Sequence, residues 1–288
     1  MKTLIRGFLY GAAFFIAGFY AFQHRSAWSS GELPVIQNLS QDFKTGVELF
    51  GRDFKSFARQ IEGASTAQWK RDGEFAWSRA LLEQKLAHFR GSKKKQSIAY
   101  LNYIERYADF ALAEMARYQI PASVTLAQGL LETNAGDSRI ARVANNHFGI
   151  KCRKYRNYKT DGRITAQDFY PADIAYDCLQ IHDDHAWDRF NMYHTPAHSY
   201  RHHSQLLTES SRYNWMIRQY WDKVGDYCSV ESHWFGTKTV PYYAAWCIGL
   251  KKSGYATGAR YAQKLTYIIQ TYDLWRFDYQ VIMAYQHL

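Results

Sequence analysis

The sequence predicts an α+β protein that is mainly α. A helical domain carries a small β-hairpin lobe and is preceded by a membrane helix and a helical stem. Three observations predict this. Apolar residues recur at steps of three and four through most of the chain. The stretch from about residue 153 to 180 breaks that period with Asp-Gly, Pro171 and several β-forming residues. The segment 7–22 is a nearly unbroken apolar run, "GFLYGAAFFIAGFYAF".

The elements follow in chain order. Lys2 and Arg6 precede the run 7–22, which is long for a signal-peptide core and slightly short for a spanning helix. No small-residue cleavage site follows it, so an uncleaved anchor is expected. The positive flank keeps the N-terminus in the cytoplasm and exports the remainder. Residues 28–40 hold Ser, Gly and Pro and form a linker. Phe43, Val47, Phe50, Phe54, Phe57 and Ile61 then mark one face of an amphipathic helix. A second helix is expected over 75–90, closed by the basic hinge "GSKKKQS". This divides the chain into an anchor at 1–27, a linker and stem at 28–96, and a main domain at 97–288. The main domain opens on the helix "YLNYIERYADFALAEMARYQI", and Pro121 starts the next one. That helix ends near Glu132, where Asn134 and Gly136 break it. Asp137 or Ser138 caps the short helix after it. Helices return from His194 to the end of "ARYAQKLTYIIQTYDLW".

Composition narrows the function. A chain of 288 residues with 47% hydrophobic content holds one large domain or two small ones. The net charge of +10 favours anionic partners: nucleic acid, anionic lipid or an acidic wall polymer. The basic residues are dispersed and match no nucleic-acid-binding motif, so nucleic acid is not expected as a partner. Four cysteines in an exported chain allow up to two disulfides. His182, Asp183, Asp184, His185, His194, His198, His202 and His203 are residue types that hold metals. No H-E-x-x-H pattern occurs and Pro196 interrupts the spacing, so no metal site is expected. Oligomeric state is left open.

One acid stands out. Thr125, Gln128 and Glu132 fall on one face of the 121–133 helix, and Gly129 leaves bare backbone one turn before Glu132. A carboxyl crowded by apolar neighbours has a raised pKa and suits a general acid near neutral pH. The bland alternative pairs Glu132 with Arg139 or Arg142.

At these residues the chain resembles a family. "YIERYADFALAEMARYQIPASVTLAQGLLETNAGDSRIARVANNHFGIKC" looks like the opening of the glucosaminidase domains of glycoside hydrolase family 73. "SYRHHSQLL" and "GLKKSGYATGARYAQKLTYIIQTYDLWRFD" resemble its closing half, with an unmatched insertion near 217–240. The resemblance implies a lysozyme-like fold and hydrolysis, without a cofactor, of the β-1,4 bond after N-acetylglucosamine in peptidoglycan. It makes Glu132 the general acid and places a second carboxylate in the β-lobe. Asp161, Asp168, Asp173 and Asp177 are candidates, and Asp168 in "ITAQDF" sits best; the substrate's own acetamido group is the other option. Tyr255 resembles a cleft tyrosine, whereas Tyr261 is expected to pack. Gln128, Asn145, Asn146, His147 and Phe148 are expected at the sugar, the last four sharing that expectation with a capped turn joining two lobes. Cys152 and Cys178 match a frequent family pair, and Cys228 and Cys247 bracket the insertion as a possible second bridge. A muramidase, a lytic transglycosylase and a silent wall-binding scaffold are the competing readings.

Overall fold

The structure is a computed structural model that describes residues 77–155, 164–183, 185–232 and 236–286. The predicted membrane helix, the linker and the amphipathic stem helix lie outside these residues, as does Asp161. Among the described residues no helix is long and apolar enough to cross a membrane.

The elements are α1 (Arg79–Lys85), α2 (Gly91–Tyr118), α3 (Ala122–Thr133) and α4 (Arg139–Ala144), then β1 (Arg153–Lys154), β2 (Phe169–Tyr170), β3 (Asp177–Gln180) and β4 (Arg189–Met192). After them come α5 (Pro196–Glu209), α6 (Trp215–Tyr220), β5 (Tyr227–Ser232), β6 (Gly236–Pro241), α7 (Tyr242–Lys252), α8 (Tyr261–Thr271) and α9 (Trp275–Gln286). The protein is thus mainly helical α+β with small sheets.

Two expectations near the start need correction. The helix predicted over 75–90 is only α1, and the supposed hinge "GSKKKQS" forms the first turns of α2. Lysine is a good helix former, and the segment holds no proline to stop it. The boundary drawn at 96/97 therefore falls inside α2. Residues before it pack on the C-terminal helices. Trp77 Nε1 donates to the Tyr272 carbonyl at 2.9 Å, its ring stacks on Phe277, and Lys85 Nζ pairs with Asp273 at 2.7 Å.

α3 is the centre of the described helical body. Every residue from Ala122 to Leu130 is buried, and α2, α7, α8 and α9 surround it. A helix enclosed this way cannot leave its first N–H groups to water. Asp278 of α9, itself fully buried, accepts from the Ser123 N–H at 2.8 Å and from the Tyr242 hydroxyl at 2.6 Å. One carboxylate thereby caps α3 and ties it to the start of α7. At the other end Asn134 takes the left-handed conformation (φ 50°), followed by Ala135 (φ 59°), whose N–H returns to the Leu130 carbonyl at 3.0 Å. That closing turn is the one Asn134 predicts.

The β-lobe is larger than expected and consists of two antiparallel ladders. Arg153 pairs with Tyr170 and Lys154 with Phe169. The second ladder runs from Asp177 opposite Met192 to Gln180 opposite Arg189. Cys152 and Cys178 are disulfide-bonded, which fastens the entry of β1 to β3. Buried Asn191 completes the lobe: its Oδ1 accepts from Ala172 N–H at 2.9 Å and its amide donates to the Lys151 carbonyl at 3.0 Å. The insertion folds as α6 and the hairpin β5–β6, in register from Tyr227 opposite Pro241 to Ser232 opposite Gly236. Cys228 on β5 and Cys247 within α7 are free, so the second disulfide does not form. Both thiols are buried, and burial pushes their pKa values up to about 11 and about 12.

Candidate active site

Glu132 occupies the last turn of α3, where the helix leaves the core. Residues 121–130 are buried and Leu131 is half-buried, whereas Glu132 reaches solvent while its bond to Tyr261 remains partly buried. The face shared by Thr125, Gln128 and Glu132 is not open along its length. Thr125 and Gln128 are 1% and 0% exposed, and Tyr261 of α8 and His203 of α5 close over Gln128. The acid therefore ends a buried helix because only its terminal turn reaches solvent. Arg142 pairs with Asp137 at 3.5 Å, so Glu132 does not take that arginine as its partner.

The partner of Glu132 is Tyr261, at the first position of α8. Its hydroxyl donates to Glu132 Oε1 at 2.8 Å, and it accepts from Gln128 Nε2 at 3.1 Å. The far end of the Gln128 amide, Oε1, lies 3.1 Å from His203 Nε2. The His203 ring in turn stacks on Phe148 at 4.0 Å. Tyr255 stacks on Tyr261, and its own hydroxyl is buried without a hydrogen-bond partner among the described residues. Tyr261, expected to pack, makes the bond to the acid, and Tyr255 lies half-buried beside it, where the Glu132 charge acts on its hydroxyl.

The electrostatics favour a proton on Glu132. Crowding by protein removes water from the carboxyl and raises its pKa; the negative charge of Asp183 raises it further. The Tyr261 hydrogen bond and the Lys264 charge work in the opposite direction and are outweighed. Asp183, in the turn between β3 and β4, is also paired with Lys151 at 3.1 Å.

The other expected residues lie as follows. Asp168 Oδ2 accepts from both the Thr165 N–H at 2.6 Å and the Thr165 hydroxyl at 3.0 Å, a capping box on the turn entering β2. Oδ1 has no hydrogen bond among the described residues. Asp173 is nearly fully exposed beside Arg153, and Asp177 accepts from the N–H of Cys178. Asn146, His147 and Phe148 are 0%, 1% and 4% exposed. Asn146 bonds only backbone: its amide donates to Ile150 and Asn191 carbonyls, and its Oδ1 accepts from Phe148 and Ile150 N–H groups. Asn145 donates to the carbonyls of Tyr193 and His194. These side chains join the helical body to the β-lobe, the capped-turn alternative of the sequence reading; both ends of the Asn146 amide and the Asn145 Nδ2 are already occupied by backbone. Gln128 is likewise behind the acid and not in front of it. Gly129 does not leave open space either. A Cβ there would overlap the Tyr103 hydroxyl, which bridges His147 Nδ1 at 2.9 Å and the Tyr200 hydroxyl at 3.0 Å.

Comparison with known proteins decides the family. The family model described as glucosaminidase, mannosyl-glycoprotein endo-beta-N-acetylglucosaminidase, matches residues 108–274, more than half the chain. The chain belongs to this glucosaminidase family. Glu132, Tyr261, Gln128 and His203 all lie inside the matched glucosaminidase region. The chain is 26% identical over 176 residues to the exo-glucosaminidase LytG of Bacillus subtilis (strain 168), covering 61% of this chain. It spans about half the length of that relative, 52%. Among solved structures it is similar to the catalytic domain of the autolysin Auto from Listeria monocytogenes. That match has 19% identity and a TM-score of 0.41, and covers 70% of this chain and 98% of that one. It is also similar to the glycoside hydrolase domain of FlgJ from Salmonella typhimurium. Here identity is 21% and the TM-score 0.39, covering 65% and 96% of the two chains.

Sequence reasoning missed Tyr261, His203 and Asp183 as partners of the acid. Only Tyr261 carried a signal, as an aromatic opening an amphipathic helix, and that signal is shared by ordinary core tyrosines.

Proposed function

We propose that the chain is a peptidoglycan hydrolase that cleaves the β-1,4 bond after N-acetylglucosamine, with Glu132 as general acid. The observation that carries this reading is the carboxyl of Glu132. It emerges alone from a buried helix, its pKa raised by desolvation and by Asp183, with one oxygen held by Tyr261. An acid with a raised pKa keeps its proton to higher pH and can give it to the leaving sugar oxygen. Asp168 is the proposed second carboxylate, acting through Oδ1 while the capping box holds Oδ2. Asp183 is assigned a separate task, keeping the acid protonated. A net charge of +10 toward an anionic wall polymer supports the same reading. The segment 7–22 is proposed as an uncleaved membrane anchor that leaves the catalytic domain outside the cytoplasmic membrane; N-terminal sequencing of the mature chain tests it.

The deciding experiment digests purified peptidoglycan and identifies the released fragments by mass spectrometry. N-acetylglucosamine at the new reducing ends is the expected result. Muramic acid ends indicate a muramidase, anhydromuramic ends a lytic transglycosylase, and no release a wall-binding protein. Fragment length separates cleavage within strands, the expected mode, from release of terminal units.

A further inference from the structure

We infer that His203 and Gln128 are positioning residues that fix the direction of the hydrogen bond to Glu132, so that Oε1 is a permanent acceptor and Oε2 carries the transferable proton. This rests on Glu132 being the proton donor of the proposed reaction. The observation is a linear chain of four side chains: His203 Nε2 to Gln128 Oε1 at 3.1 Å, Gln128 Nε2 to Tyr261 at 3.1 Å, and Tyr261 to Glu132 at 2.8 Å. His203 and Gln128 are both 0% exposed, so water cannot re-pair them.

Such a chain can be wired in two directions. In one, every donor points toward Glu132. In the other, the Gln128 amide is turned over, Tyr261 donates inward to it, and only a protonated Glu132 can complete the chain by donating to Tyr261. The far end decides between them. His203 Nδ1 is buried without a partner among the described residues. The first wiring puts the imidazole proton on Nε2 and leaves Nδ1 as an unfilled acceptor. The second puts it on Nδ1 and leaves a buried N–H with nothing to bond. An orphaned N–H is the rarer and costlier defect. The ring stays neutral as well, since burial and the nearby His202 lower its pKa to about 3. His203 therefore locks the amide, the amide locks the tyrosine, and the tyrosine always presents its O–H to Oε1.

The consequence is a restraint on the acid. Desolvation alone would push the Glu132 pKa upward; the outward-wired chain stabilises the carboxylate and holds it down, so that the proton leaves when the glycosidic oxygen takes it. The other groups acting on Glu132 are Lys264 of α8, Asp183 of the β3–β4 turn and Tyr255 of the preceding loop. None of them is a member of the chain.

The test reads the Glu132 pKa directly, by carbon-13 NMR titration of the full-length protein labelled at glutamate carboxyls, with Glu132→Gln assigning the resonance. His203→Leu frees the amide to turn and is expected to raise the Glu132 pKa by about one unit, the size of a hydrogen bond to a charged group. Tyr261→Phe is expected to raise it too. The double variant should titrate like Tyr261→Phe, because His203 acts only through the tyrosine. His203→Gln, which keeps an N–H near the place of Nε2, should restore the wild-type value and guards against loss of fold in the leucine variant. An unmoved titration in folded His203→Leu overturns the inference. So does a His203→Leu shift that adds in full to that of Tyr261→Phe, or a His203→Gln value equal to the leucine variant. The readout needs no substrate. Failure to cleave peptidoglycan sinks the proposed function and leaves this titration to be judged separately.

Discussion

At the scale of single residues, the site separates two tasks that two acids perform. Glu132 must hold a proton and release it. Glutamine keeps its size and its acceptor oxygen for Tyr261 but has no proton to give. Glu132→Gln should preserve the circular dichroism spectrum and substrate binding while turnover on purified peptidoglycan falls roughly 10²–10⁴-fold. Near-wild-type turnover would refute the assignment. The two aspartates should then differ in kind. The charge of Asp183 raises the Glu132 pKa, so Asp183→Asn should move the alkaline limb of the pH–rate profile to lower pH. Asp168→Asn keeps an oxygen for the Thr165 cap and should leave that limb in place, yet lower turnover by an order of magnitude or more if its Oδ1 serves as base or nucleophile. An unaffected rate in Asp168→Asn would instead favour the acetamido group of the substrate as the internal nucleophile.

At the scale of elements, α3 works as a rod that carries Glu132 to the surface, and its position depends on how closely its neighbours approach it. Gly129 is the point of closest approach. Tyr103 of α2 lies directly over it, held between His147 and Tyr200 of α5. Adding one methyl forces that hydroxyl away and breaks a buried network on three elements. Gly129→Ala should therefore destabilise the protein by about 1–3 kcal/mol despite the helix preference of alanine. Thermal unfolding checks it, and a neutral or stabilising result would show that the tyrosine can yield. The same element shows what a sequence makes legible. Pro121 and Asn134 mark its ends, and the apolar period marks its core, because those signals are local. The Asp278 cap is 155 residues away and the Tyr261 bond to Glu132 spans 129, and no periodicity encodes either. For the same reason the face of Thr125 and Gln128 looked open in sequence. Gln128 is polar there because it makes buried hydrogen bonds, not because it meets water, and the Thr125 hydroxyl is buried without a partner among the described residues. The lysines of "GSKKKQS" misled in the reverse sense: charge suggested a hinge where helix propensity continued a helix.

At the scale of the whole molecule, the buried titratable groups set the pH range in which the fold survives. His147 and His203 are held neutral by burial, with pKa values lowered to about 4 and about 3. In the unfolded chain each returns to about 6.5. Below that value the unfolded state binds protons that the folded state refuses, so stability is lost as the pH falls from about 6.5 toward 4. His202, less deeply buried, is shifted in the same direction. Asp278 opposes them. Its pKa is raised to about 6, so the stability it contributes is present at low pH and is lost as the pH rises from about 4 to 6. Three histidines against one aspartate leave a net loss on acidification. Between pH 7 and pH 5 each deeply buried histidine costs on the order of 2 kcal/mol and the aspartate returns about 1, a net loss of a few kcal/mol. Calorimetry of the full-length protein should show the melting temperature falling over this interval. Asp278→Asn, which keeps an acceptor for Ser123, should make the fall steeper by removing the opposing group. A melting temperature that is flat or rises toward pH 5 would mean that the histidines already carry charge in the folded protein, and that the wiring behind Glu132 cannot depend on a neutral His203.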